Sequence, residues 1–86
     1  MITPAISLRT SREIVELAAQ HLSKKIIIRR QPNKRWAIVL YLPEAGEAFG
    51  LSSATDPGVL RLFSTVGDSI NAARYVSGLN SIYFER

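Results

Sequence analysis

The chain has 86 residues, an apolar fraction of 47%, no cysteine and a formal net charge of +4. That length fits a single small domain, 1–86; the apolar content excludes a disordered chain, and the missing thiols exclude disulfide scaffolds and thiolate chemistry. A domain this short buries only about two-thirds of its unfolded surface, so its stability is modest unless a partner or a second copy covers more.

The first ten residues, "MITPAISLRT", carry neither a basic leader nor a long apolar run, so no signal peptide is expected. Thr10-Ser11-Arg12-Glu13 then reads as a capping box, with Thr10 as the cap and Glu13 reaching back to it. A helix follows to about Ser23. Ile14, Ala18 and Leu22, with Leu17 and His21 beside them, line one face. Lys24 and Lys25 stand at its end, where cations suit the helix dipole. "KIIIRR" is a β-branched strand, and "QPNK" centres a type I turn on Pro32 and Asn33. "RWAIVLYLP" is the strongest strand of the chain. It sends Trp36, Ile38, Leu40 and Leu42 one way and Ala37, Val39 and Tyr41 the other. Both faces are apolar, so this strand is either covered on both sides or part of an oligomer interface.

Pro43 ends that strand and "EAGE" is a turn. "AFGLSSA" is a third strand, weakened by Gly50 and its serines. "TDPG" is a turn and "VLRLFS" a fourth strand. Thr65 to Asp68 opens a second helix over about residues 66–77, with Val66, Ile70, Ala73 and Ser77 on a small-residue face flanked by Val76. Gly78 suits the position after the helix and Leu79 the contact that follows. "SIYFE" is a last strand, Ile82 and Phe84 inward, Tyr83 and Glu85 outward. The order αββββαβ predicts an α+β fold: an antiparallel sheet of four to five strands with two helices on one face.

No catalytic constellation is visible. His21 is the single histidine. It has no partners at metal-ligand spacing, and its place near a helix end accounts for it electrostatically. Glu13 and Asp68 serve helix starts, Asp56 a turn; Glu44 and Glu47 flank Gly46 in a loop, and Glu16 and Glu85 complete the carboxylates without forming an acid/base pair. No Gly-x-Ser-x-Gly elbow and no glycine-rich phosphate loop occurs. The expectation is a non-enzyme with no metal and no cofactor. No apolar run approaches the ~18 residues of a membrane helix. Together with the lack of cysteine this points to a cytoplasmic protein without a membrane partner.

The charge map is the best lead. "KKIIIRRQPNKRW", residues 24–36, holds six of the eleven basic residues and no acid, and the remainder of the chain is net negative. A local patch speaks for an anionic partner more than a uniform surplus does. The binding candidates are Lys24, Lys25, Arg29, Arg30, Lys34 and Arg35. Alternation puts Lys25 and Arg29 on one face and Arg30 on the other, while Arg29, Arg30, Lys34 and Arg35 crowd the turn end of a hairpin. Such a tip can meet a phosphate backbone or an acidic protein surface. It can equally be an edge strand guarded against aggregation by Lys and Arg. Trp36 reads first as core; stacking on a base is its alternative role. Arg61 and Arg74 are single charges with nothing distinctive about them.

The C-terminal half, "VLRLFSTVGDSINAARYVSGLNSIYFE", joins an Arg-x-Phe strand, a capped helix with an Ala-rich face, a Gly and an Ile-x-Phe strand. With the helix and meander before it, the chain from about residue 10 to 86 resembles the small partition-associated (ParC-type) proteins encoded on bacterial plasmids. Arg61, Phe63, Ser64, Ala73, Val76, Gly78, Ile82 and Phe84 carry the resemblance, and "TDPG" departs from the family's shorter Arg-Gly turn. The resemblance implies a non-enzymatic accessory of a plasmid or mobile element, acting through other proteins, partition ATPases above all, or near DNA. It transfers no functional residue. Two readings therefore stand: an accessory or regulatory protein, forming a homodimer and working through protein–protein binding to an acidic partner; or a nucleic-acid-binding module gripping phosphates through the basic hairpin, residues 24–36.

Overall fold

The computed structural model describes residues 5–79 and 81–85; the first four residues, part of the segment read above for a leader, lie outside them. The described residues run β1 (Ile6–Arg9), α1 (Ser11–Gln20), β2 (Lys25–Arg30), β3 (Trp36–Leu42), β4 (Glu47–Leu51), α2 (Val66–Ser77) and β5 (Tyr83–Glu85). The fold is α+β as expected, but its sheet is mixed. The strand order is β1-β4-β3-β2-β5, with β2-β3 and β3-β4 antiparallel and the two outer pairings, β1-β4 and β2-β5, parallel.

Local chemistry builds the pieces. The capping box forms: Thr10 Oγ1 accepts the Glu13 N–H at 3.2 Å, and Glu13 Oε1 accepts the Thr10 N–H at 3.0 Å. The Glu13 carboxyl is held below its ordinary range by the backbone N–H of Thr10 first and the Thr10 hydroxyl next; desolvation opposes them, and Arg9 adds a smaller downward pull. Helix α1 stops at Gln20, three residues short of the expected end, because side chains satisfy its last carbonyls. His21 Nδ1 donates to Leu17 O at 2.9 Å in the tautomer protonated there. Lys24 Nζ donates to Ala18 O and His21 O at 2.6 and 3.0 Å. Leu22, expected on the apolar face, is thereby turned out of the helix and fully exposed. Helix α2 has the expected bounds. Thr65 caps it, and Gly78 closes it at φ 68° with its N–H on Arg74 O at 2.8 Å.

The register Ile26↔Leu40, Ile28↔Ile38 and Leu40↔Phe49 places Ile26, Ile28, Ile38, Leu40, Leu42, Phe49 and Leu51 on one face. Ile14 and Ala18 of α1 and Ala73 and Val76 of α2 close over them, so both helices lie on that side. Each fully buried large aliphatic residue stabilises the fold by ~1.5–3 kcal/mol, which makes this layer the main driving force. Val66, expected in it, is exposed.

The second apolar face of β3 is covered within the chain: Ala37 and Val39 are 0% and 2% exposed. Gly50 lies opposite Val39, and a Cβ there would meet Leu60 Cδ1 at 2.9 Å, Ile6 Cγ2 at 3.0 Å and Leu8 Cδ2 at 3.1 Å. Gly50 is thus the seat of a small second cluster rather than a weak point.

Two further expectations fail. The stretch 59–64 is no regular strand; it touches the sheet through isolated bridges, Ser52↔Leu60 and Trp36↔Phe63, so that the end of β4 and the start of β3 part to admit it. β5 pairs in parallel at the sheet edge, with only β2 beside it, so Phe84, expected inward, is half-exposed like Tyr83. Ile82 does pack on the core.

Candidate functional site

A strand rises ~3.3 Å per residue, so β2 alone carries Arg30 about 17 Å from Lys25. The six cations that adjoin in sequence are therefore two groups in space. Lys24 and Lys25 lie at the far end of β2, beside Tyr41 at the end of β3. Lys24 is spent on the carbonyls that end α1. Lys25 stands 5.4 Å from the centroid of the Tyr83 ring, on the face away from the helices.

Arg29 reaches the turn end on that same face, but it is engaged. Its Nε lies 2.8 Å from Glu85 Oε1 and its Nη2 donates to Glu85 Oε2 at 3.4 Å. The Nε–H points off the line to Oε1, so the contact is an ion pair more than an aligned hydrogen bond. This pair ties β5 to β2.

Three cations of the six remain at the tip: Arg30, Lys34 and Arg35, all exposed. The turn is tight. Lys34 N–H donates to Gln31 O at 3.1 Å and Gln31 N–H to Arg35 O at 2.7 Å. Lys34 takes φ 63°, the left-handed residue of a three-residue hairpin loop, where glycine or asparagine is cheaper. A fourth cation joins from a distance in sequence. Trp36 and Phe63 exchange both backbone hydrogen bonds, at 3.0 and 2.8 Å. This sets their side chains side by side on the helix face. Arg61, two residues before Phe63, lays its guanidinium 4.8 Å from the Phe63 ring centroid, and Arg30, opposite Trp36, lies 6.0 Å from the indole. Trp36 is half-buried and packed against the core, while Phe63 is buried. Among the described residues no carboxylate pairs with Arg30, Lys34, Arg35 or Arg61. Glu44 and Glu47 belong to the opposite end of β3, about 20 Å away at the same rise per residue.

Sequence reasoning missed Arg61 and Phe63. The Arg-x-Phe alternation puts both on one face of an extended segment, but nothing in it says that this segment lies against Trp36.

The guarded-edge reading of the basic hairpin does not hold, because β2 and β3 are interior strands and the edges are β1 and β5. Among the described residues no three of His, Cys, Asp and Glu gather where they could hold a metal ion. No helix among them is long and apolar enough to cross a membrane. Beside Arg61 the loop at 53–55 and residues 59–62 border an open hollow of ≈ 360 Å³ with no carboxylate in its lining. Comparison with protein-family models, with curated proteins and with solved structures gives no match.

Proposed function

We propose that the chain is a non-enzymatic binding module that grips the phosphates of a nucleic acid with the tip of the β2-β3 hairpin. The observation that carries this is the gathering of Arg30, Lys34, Arg35 and Arg61 at one end of the sheet without a carboxylate partner among the described residues. Interior strands need no charge to guard them, and a lysine held in a left-handed conformation keeps a cation where a smaller residue would sit at lower cost. Guanidiniums and ammoniums on a projecting turn contact phosphates without reading sequence.

About four phosphate contacts predict that log K falls against log salt with a slope near −3, roughly a 50- to 150-fold loss of affinity between 50 and 200 mM. Binding of labelled DNA and RNA across a salt series tests this, with Arg30→Ala/Lys34→Ala/Arg35→Ala beside the wild type. The variant should lose most of the slope while melting like the parent. An unchanged slope in the folded variant would refute the assignment.

A second reading is favoured by a different observation. Tyr83 and Phe84 are each 53% exposed on an edge strand, and edge strands pair readily with another chain. In that reading the protein is a cytoplasmic accessory of a plasmid or mobile element that docks an acidic protein or a second copy of itself. The resemblance of about residues 10–86 to partition-associated proteins supports it. Sedimentation showing a dimer that Phe84→Ser disperses would favour it.

A further inference from the structure

The four groups beside the tip are not only charged; they are planar. Arg30, Trp36 and Phe63 come from three adjacent backbone segments and stand in one row on the helix face, and Arg61, two residues before Phe63, lays its guanidinium over the Phe63 ring beside that row. With neighbouring segments ~4.8 Å apart, the row from Arg30 through Trp36 to Phe63 spans about 10 Å. Phe63, 7% exposed, anchors it from below, while the half-buried Trp36 keeps part of its indole open at the rim. The guanidiniums of Arg30 and Arg61 lie over these rings, and a guanidinium can stack on a base and still bond a phosphate.

We infer that this row is a stacking shelf for unpaired bases, so that the nucleic acid held by the tip is single-stranded. This rests on the phosphate reading above and adds the bases to it. Duplex DNA or RNA shows the tip phosphates only, its base faces being buried in the stack. A single strand presents both, and aromatic stacking tolerates any base because each has a π-face. Arg30 and Arg61 swing from the rings to the incoming base, and Lys34 and Arg35 beyond the shelf take the backbone that follows.

The chain contains one tryptophan, so its fluorescence reports on the shelf alone. The test uses the full chain with three probes of equal length, about 12 nucleotides, within the range of single-strand sites. The probes are an oligothymidylate, an abasic deoxyribose-phosphate strand and a duplex. The oligothymidylate should quench Trp36 emission and bind about tenfold or more tighter than the abasic strand, since one stacked base is worth roughly 5- to 150-fold. Trp36→Leu, which keeps apolar bulk against the core, should lose that preference, while its abasic-strand affinity falls by no more than the roughly 2- to 5-fold that losing the ring under Arg30 costs, measured by anisotropy of labelled strands. Should the leucine variant fail to fold, the wild-type comparison of base-bearing with abasic strand decides alone. Equal binding of the two strands without quenching, or tighter binding of the duplex, overturns the shelf and leaves the phosphate grip standing. No binding of any probe at low salt overturns both.

Discussion

Arg29 and Arg30 are neighbours in sequence with opposite assignments, and substituting each separates structure from binding. Arg29 is 22% exposed in its side chain and Glu85 49%, so the pair is well wetted on the carboxylate side and must be discounted for screening. Exposed pairs contribute ~0.2–1 kcal/mol. The arginine stem adds packing lost on truncation. Arg29→Ala should then destabilise the fold by about 1 kcal/mol, which in a domain of this size lowers Tm by about 4–8 °C. Its effect on nucleic-acid binding should be small, because the guanidinium is already held. Glu85→Ala works in the other direction on binding: it loosens β5 and releases Arg29 to the tip, adding up to one phosphate contact and steepening the salt slope by about 0.7–0.9. Arg30→Ala should flatten the slope by the same amount with little change in Tm. The assays are urea unfolding of the two single variants and their double mutant, and anisotropy of a labelled oligonucleotide at four salt concentrations. A coupling of about 0.5 kcal/mol between Arg29 and Glu85 is expected. Zero coupling, with Arg29→Ala flattening the slope as much as Arg30→Ala, would refute the division of the cluster.

Further predictions concern the scaffold. Lys34→Gly relieves a left-handed strain of ~1 kcal/mol or more, offset in part by a floppier unfolded chain, so urea unfolding should show a gain of up to about 1 kcal/mol while nucleic-acid affinity falls. Gly50→Val places methyl groups against Leu60, Ile6 and Leu8 at once and should cost ~1–3 kcal/mol; thermal melting at or above the parent value would show that the second cluster yields easily. The lowered Glu13 carboxyl stabilises the folded state above its unfolded pKa, and that contribution disappears as pH falls through the folded value. Helicity by circular dichroism should therefore be lost on acidification at a higher pH in Thr10→Ala, which lacks the hydroxyl partner, than in the parent, on top of a pH-independent capping loss of about 1 kcal/mol.

Elements whose determinants are local were legible. Thr10 and Glu13, Thr65 and Gly78 announce helix ends because the groups they bond are three or four residues away. The Pro-Asn turn joins β2 to β3 because the loop itself fixes that pairing. Even β1 left a trace, Ile6 and Leu8 alternating with Ser7 and Arg9, but four residues make a faint pattern. Its partner, the β4 strand some forty residues on, is fixed by the packing of both against α1 and Leu60. Parallel pairing at both edges carries no sequence mark at all, since period-2 alternation is the same in either direction. The site failed in the same way. Counting charges by proximity in sequence joined Lys24 and Lys25 to the tip, although a strand of six residues holds them apart. It also left Arg61 out, although a bridge between Trp36 and Phe63 brings it in.

That bridge gives the proposed grip a rigid base. A hairpin turn projecting alone is braced only by its two strands, and cations on it would lose side-chain freedom on meeting a ligand. Here the returning segment 60–63 pairs with the first residue of β3, wedges Phe63 into the core beside Trp36, and hands the chain directly to the Thr65 cap of α2. The root of the hairpin is thereby fixed to the core from a third side. Arg30 and Arg61 rest on the rings of the residues that make this brace, so their planes are partly ordered before any ligand arrives. Breaking the brace should thus weaken binding without removing a charge. Phe63→Ala would unfold too much of the core to be informative; Phe63→Leu keeps the apolar volume and removes the ring under Arg61. It should lower nucleic-acid affinity about 2- to 5-fold, the weight of one exposed cation–π contact of ~0.5–1 kcal/mol, with the salt slope unchanged because every cation remains. A flattened slope in a folded Phe63→Leu protein would mean that Arg61 contacts a phosphate only when the ring positions it, and that the brace and the grip are one device.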